Sequence, residues 1–118
     1  MHGPQLRFSE QLHAEKYRVA GESFRECIDR VSSALSDDEE HFKQLRAILL
    51  NQRFLPAGRV QAAMGSTKTV TPYNCFVSGS LEDSFVHGAG SIMARATDAA
   101  TTMRLGGGIG YDFSSLRP

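Results

Sequence analysis

Apolar residues recur at helical spacing through the first part of the chain and lose that spacing near residue 54. Phe24, Cys27, Ile28, Val31, Ala34 and Leu35 lie on one stripe of a 3.6-residue period, and Phe42, Leu45, Ile48 and Leu49 form a second. Ahead of the first stripe, Ser23-Phe24-Arg25-Glu26 has the form of a capping box, in which hydroxyl and carboxylate satisfy reciprocal free amides. Ser36-Asp37-Asp38-Glu39 repeats it ahead of the second, and Asp37, Asp38, Glu39 and Glu40 put negative charge where the helix dipole favours it. A shorter helix is predicted from a cap at Ser9 to Arg18, with Leu12 and Tyr17 as its contacts and Gly21 as its interruption. Residues 9–51 are thus expected to form three antiparallel helices.

Phe54-Leu55-Pro56-Ala57-Gly58 breaks the helical period, and residues 65–72 are rich in small and turn-forming side chains. Asn74-Cys75-Phe76-Val77 has the content of a short buried strand. A loop follows, holding Glu82, Asp83 and Ser84. Ser91 then caps a helix that carries Ile92, Ala96, Ala99, Ala100 and Met103 on one side and Arg104 in its last turn. Gly106-Gly107-Gly108 ends that helix, and Ile109-Gly110-Tyr111-Asp112-Phe113 resumes as a strand. The order predicts an α+β chain: a helical region at 1–53, and the opening of an α/β unit at 54–118.

Composition narrows the function classes. Apolar residues make up 41% and charged residues 22% of 118 positions, the balance of an ordinary globular domain. No apolar run approaches the roughly 18–20 residues that span a bilayer, and the first residues lack the apolar core of a signal peptide. A cytoplasmic, membrane-free protein is the expectation. Thirteen basic and thirteen acidic side chains cancel, which argues against nucleic acid as a partner. Cys27 and Cys75 have no CxxC or histidine partner at metal spacing, so no metal site is expected.

Few residues carry chemistry by themselves. Cys27 sits on an apolar stripe and is expected in the core. Cys75 reads either as a small packing residue in a strand or as a redox thiol beside a cleft. One glycine suffices to end a helix, so three in a row suggest a close approach to the backbone by a phosphate or sugar. The run is neither a Walker loop, lacking a following Gly-Lys-Ser/Thr, nor a dinucleotide fingerprint, since it follows a helix. Asp83-Ser84 is either turn chemistry or a pair of hydrogen-bonding groups for a ribose or base. Arg117 is either a solvated arginine or a polyphosphate holder. His13, His41 and His87 are expected at the surface.

The order of these pieces is more specific than any one of them. Arg53-Phe54-Leu55-Pro56-Ala57-Gly58-Arg59, Asn74-Cys75-Phe76-Val77, Glu82-Asp83-Ser84 and the run from Gly106 to Pro118 resemble the large catalytic subunit of ribonucleotide reductases. The likeness takes the form found in the adenosylcobalamin-dependent (class II) branch. It covers residues 10–118, most specifically from 53 onward, and the class I radical source stays open at these residues.

The resemblance implies an N-terminal portion of the subunit, with the helical region leading into the first strands and helix of a ten-stranded α/β barrel. It implies reduction of ribonucleotides to deoxyribonucleotides by thiyl-radical chemistry, with a cysteine pair as reductant and Cys75 as the pair's first member. It places Ala57, Asn74, Cys75, Gly107 and Gly108 at the substrate. It assigns Asp83, Ser84, Phe85 and Arg117 to a deoxynucleotide effector, and the helix at 91–104 to a homodimer interface. Adenosylcobalamin would be held by the remainder of the reductase, as would the radical cysteine, so the chain is expected to be inactive alone. Residues 86–90 lengthen the link from Asp83 to the glycines relative to many members. A nucleotide- or partner-binding module without catalysis is the alternative.

Overall fold

In the computed structural model, which describes residues 3–118, the capping box at Ser23 starts a helix as expected. Five helices and two strands occur among the described residues: α1 (Arg7–Tyr17), α2 (Phe24–Leu35), α3 (Glu39–Leu50), α4 (Gly58–Ala63), β1 (Cys75–Ser80), α5 (Ile92–Arg104) and β2 (Gly108–Asp112). They divide between two compact units, Met1–Pro72 and Tyr73–Pro118. No helix among the described residues is long and apolar enough to cross a membrane.

The first unit is organised by α2. Glu26 N–H donates to Ser23 Oγ at 3.3 Å and Ser23 N–H donates to the Glu26 carboxylate at 2.7 Å, which closes the box. The stripe that follows buries Phe24, Cys27, Ile28 and Val31 against Leu49 and Leu50 of α3, with Leu45 and Met64 at the margin. Each such aliphatic side chain contributes about 1.5–3 kcal/mol of burial. The cap of α3 is Asp38, where Ser36 was expected: Asp38 Oδ1 accepts from His41 N–H at 2.8 Å. Ser36 is already engaged, its hydroxyl donating to Ser32 O at 2.6 Å at the end of α2. Helix α1 also differs, starting at Arg7 behind an uncapped Leu6, so Ser9 lies inside its first turn.

Sequence patterning did not foresee α4. Pro56-Ala57 ends the preceding connection, and the Ala57 carbonyl then accepts from Val60 and Gln61 N–H to start a short helix. Arg30 fixes the far end of α4: its guanidinium donates to Gln61 O at 3.0 Å and to Met64 O. The same group holds Glu22 through two bonds of 2.8 and 2.9 Å, both side chains little exposed. Gly65 is required beneath it, since its φ is +68° and an added Cβ would fall 2.8 Å from Arg30 Cγ. These ties carry the first unit to Pro72, beyond the texture change at residue 54. His13, expected at the surface, is buried between Arg18 and Gln61. His41 and His87 are exposed as expected.

In the second unit β1 and β2 pair in parallel, with Cys75 opposite Gly108, Phe76 opposite Ile109 and Val77 opposite Gly110. Helix α5 provides the crossover that a parallel pair needs. Its cap is Ser91, whose Oγ accepts from Ala94 N–H, and Tyr111 Oη donates to Arg95 O at 3.0 Å, tying β2 to α5. The two strands were legible, but their burial was not. Cys75, Phe76 and Val77 are exposed, because a two-stranded sheet offers little surface to cover them.

Candidate functional site

The glycine turn resolves into three different requirements. Gly106 has φ +86°, a conformation that side chains resist, and it supplies the helix end. Gly107 is buried, and a Cβ there would lie 2.7 Å from the Phe76 ring and 3.0 Å from Thr102 Cγ2. Gly108 needs neither reason: its added Cβ would make ordinary contacts, 3.5 Å to Asn74 O and 3.7 Å to Cys75 Sγ. It is exposed, so the surface beside the sulfur is open main chain. Gly108 N–H donates to Asn74 O at 2.7 Å, which locks the strand entry where the register sets Cys75 opposite Gly108. Asn74, Cys75, Gly107 and Gly108 therefore come together at one end of the sheet. Ala57, the fifth residue expected at the substrate, belongs to the first unit, where its carbonyl starts α4.

The two cysteines differ sharply. Cys75 is an exposed free thiol, as a redox role needs. Cys27 is fully buried, and desolvation, reinforced by Glu22, pushes its thiol up to about 11. It is inert in the folded unit. No group of three or more His, Cys, Asp or Glu side chains able to hold a metal occurs among the described residues.

The loop after β1 is built around Glu82. Its N–H donates to Gly90 O at 2.9 Å, and its carboxylate lies over Gly88 and Gly90 so closely that a Cβ at either would collide with it. Ser84 is spent on local structure: its Oγ accepts from His87 N–H and its carbonyl from Ile92 N–H. Phe85 gives its carbonyl to Met93 N–H and leaves its ring exposed. Sequence reasoning grouped Asp83 with Arg117, and they meet: Arg117 Nε lies 2.9 Å from Asp83 Oδ2, both side chains largely solvated. Asp112 closes the same end of the unit, accepting from Ser80 Oγ at 2.8 Å and from Ser114 N–H at 2.9 Å, bonds that hold its pKa below the usual carboxylate range.

Comparison with known proteins supplies what geometry alone does not. Two proteins named vitamin B12-dependent ribonucleoside-diphosphate reductase, from Mycobacterium tuberculosis strains CDC 1551 / Oshkosh and ATCC 25618 / H37Rv, are each 34% identical to it over 122 aligned residues. The alignments take in 96% of this chain. The chain resembles part of a B12-dependent ribonucleotide reductase. It spans only 17% and 16% of the length of these reductases. No protein-family model matches it. The resemblance read from the motifs thus extends through the helical first unit as well as the glycine-and-cysteine end of the second.

Two residues that matter to the first unit escaped sequence reasoning. Gln61 and Arg30 look like surface polar side chains on their helices. Only the tertiary fold turns them inward. A cue did exist for Arg30, since an opposite charge, Glu22, stands just ahead of the capped start of its helix.

Proposed function

We propose that these residues are the N-terminal portion of the large subunit of a B12-dependent ribonucleotide reductase, and that Cys75 is one of its two reducing thiols. The observation that carries the reading is the register of Cys75 against Gly108, an exposed thiol beside bare main chain, within a chain similar to named reductases along almost its whole length. In the reaction a protein thiyl radical takes the ribose 3′-hydrogen, the 2′-hydroxyl leaves as water, and two thiols give up two electrons and two protons as they form a disulfide. The 3′-hydrogen is then returned. Cys75 supplies one thiol; the other comes from outside these residues, because Cys27 is sealed in the first unit's core.

The backbone at Gly107 and Gly108, with Asn74, forms one wall for the ribose, where a side chain would hold the sugar away from the sulfur. Ala57 keeps the substrate role that the resemblance gives it, and β1 and β2 are the opening strands of the barrel. Asp83 and Arg117 form the start of an effector site: the carboxylate aims the guanidinium, which suits a polyphosphate. Helix α5 lies at the dimer contact.

Vitamin B12 does not fit these residues. Three open grooves among the described residues hold about 440–470 Å³ each, and one of them is lined mainly by acidic side chains and serines, a poor match to a corrin ring. Its binding belongs to the rest of a complete enzyme.

The test is a chimaera in which these 118 residues replace the matching segment of a B12-dependent reductase. Dithiol-driven reduction of ribonucleoside diphosphate should persist, and Cys75→Ser should lower multiple turnover to background while effector binding survives. Sustained turnover by the Cys75→Ser chimaera sinks the assignment.

A further inference from the structure

The buried His13 belongs to a chain of hydrogen bonds that ends on the backbone next to Ala57. Arg18 donates through both terminal nitrogens to the Glu10 carboxylate, at 2.6 and 2.7 Å, and through Nε to His13 Nδ1 at 3.0 Å. His13 Nε2 lies 2.8 Å from Gln61 Oε1, and Gln61 Nε2 donates to Pro56 O at 2.8 Å. The chemistry fixes every direction in this chain. Pro56 O can only accept, so Gln61 must present its amide nitrogen there and its oxygen to His13. Arg18 can only donate, so Nδ1 must be the bare nitrogen and Nε2 must carry the proton. The histidine is neutral with one tautomer. His13, Arg18 and Gln61 are each at least nine-tenths buried, so water does not stand in for any of these partners.

We propose that His13 is a positioning residue for the Pro56-Ala57 turn and that its protonation loosens that turn. The proposal rests on the reading above only in giving Ala57 a place at the substrate. A proton on Nδ1 would set two donors, both cationic, face to face at 3.0 Å. The ring must then leave Arg18, and Gln61 must either follow it or let go. Following the ring draws Gln61 Nε2 off Pro56 O, and letting go removes the partner that orients the amide toward Pro56 O.

The groups facing His13 are known from each packed element: Glu10 and Tyr17 on α1, Arg18 after it, Glu22 before α2, Phe24 on α2 and Gln61 on α4. Burial holds its pKa below the ordinary value; Arg18 acts in the same direction, while the Gln61 bond and the carboxylates of Glu10 and Glu22 oppose it. The linkage has a definite sign. The unfolded chain takes up this proton near pH 6.5 and the folded chain only at lower pH, so the stability is whole above about 6.5 and drains away as pH falls toward the folded value.

The experiment is an NMR titration of the isotope-labelled chain without nucleotide, following the His13 ring, the Gln61 side-chain amide and the backbone amides of Ala57 and Gly58. All should move together in one transition below the ordinary histidine range. The Val60 and Gln61 amides, which bond to Ala57 O, should lose about tenfold in protection on its acid side, measured relative to the intrinsic exchange rate at each pH. In Gln61→Leu, His13 should still titrate while Ala57 and Gly58 cease to respond. An Ala57-Gly58 segment that stays still while His13 titrates in the unaltered chain overturns the proposal, whether or not the variant folds. Ribonucleoside diphosphate added afterwards probes the substrate reading separately: absence of shifts at Ala57 counts against that reading and leaves the relay standing.

Discussion

The two units of this chain solve the problem of stability differently. Met1–Pro72 buries a contiguous cluster of Phe24, Cys27, Ile28, Val31, Leu49 and Leu50, and Arg30 ties its helices together through charged and carbonyl partners. Among the described residues of Tyr73–Pro118, Leu81 and Ala99 are the buried hydrophobic side chains, and Val77, Phe85 and Phe113 stand mostly exposed. The first unit has a contiguous core, and its one cysteine lies inside it. The second has an exposed thiol, an open glycine and an ion pair at the surface, with little beneath them. Segments that bind ligands are commonly drawn from the weakly packed parts of a protein, where approach is possible.

Thiol labelling measures that contrast with the largest expected effect. Cys75 should react with iodoacetamide at the rate of a free thiol in native conditions. Cys27 should react only through opening of the first unit, about a thousandfold slower or more. Mass spectrometry of peptides from a timed quench distinguishes the two. Equal rates would mean that the first unit lacks the closed core described here.

The next effect is on stability. Ile28→Ala removes a fully buried side chain from the α2–α3 contact and should cost about 2–5 kcal/mol. Val77→Ala, at a residue 89% exposed, should stay within about 0.5 kcal/mol. Urea unfolding followed by helical circular dichroism reads both, and similar losses for the two would erase the distinction between the units. Arg30→Met should cost about 3 kcal/mol, since it strands Glu22 and the Gln61 and Met64 carbonyls together. Loss of protection at the Met64 amide, the last bond of α4, should accompany it in hydrogen exchange.

The contrast also explains what could be read in advance. Helix α2 was legible because its capping box and apolar stripe are local and agree. The cap of α3 was misplaced because Ser36 and Asp38 both offer an oxygen, and the choice depends on Ser36 finding Ser32 O one turn back. Helix α4 was hidden by Pro56 and Gly58, which read as breakers although one lies ahead of it and the other is its first residue. His13 was misplaced for a related reason: its partners Arg18 and Gln61 are polar, so no apolar stripe marks the site as interior. For the candidate site, the order of motifs named the residues, and pairing of β1 with β2 joined Asn74 and Cys75 to Gly108. Their exposure was not legible, because the burial of a strand depends on what else covers its sheet. The Asp83–Arg117 pair was legible only as a shared role; its geometry comes from the loop organised by Glu82.

The finest prediction concerns the three glycines, which identical composition makes indistinguishable in sequence. Gly106→Ala must hold a side chain at positive φ and should cost about 1 kcal/mol. Gly107→Ala meets the Phe76 ring and Thr102, and overpacking there should cost about 1–2 kcal/mol, held down because Phe76 is itself partly exposed and able to turn. Gly108→Ala meets only ordinary contacts and should change stability by less than about 0.5 kcal/mol. Its effect should appear in reactivity instead: a methyl group 3.7 Å from Cys75 Sγ covers one side of the thiol and should slow its alkylation, while Gly106→Ala leaves that side bare. The pairing of a silent melting curve with a slowed thiol is the signature of a glycine kept for access. If Gly108→Ala destabilises the unit as much as Gly107→Ala and leaves the Cys75 rate alone, then the third glycine serves packing, and the open wall beside the sulfur loses its support.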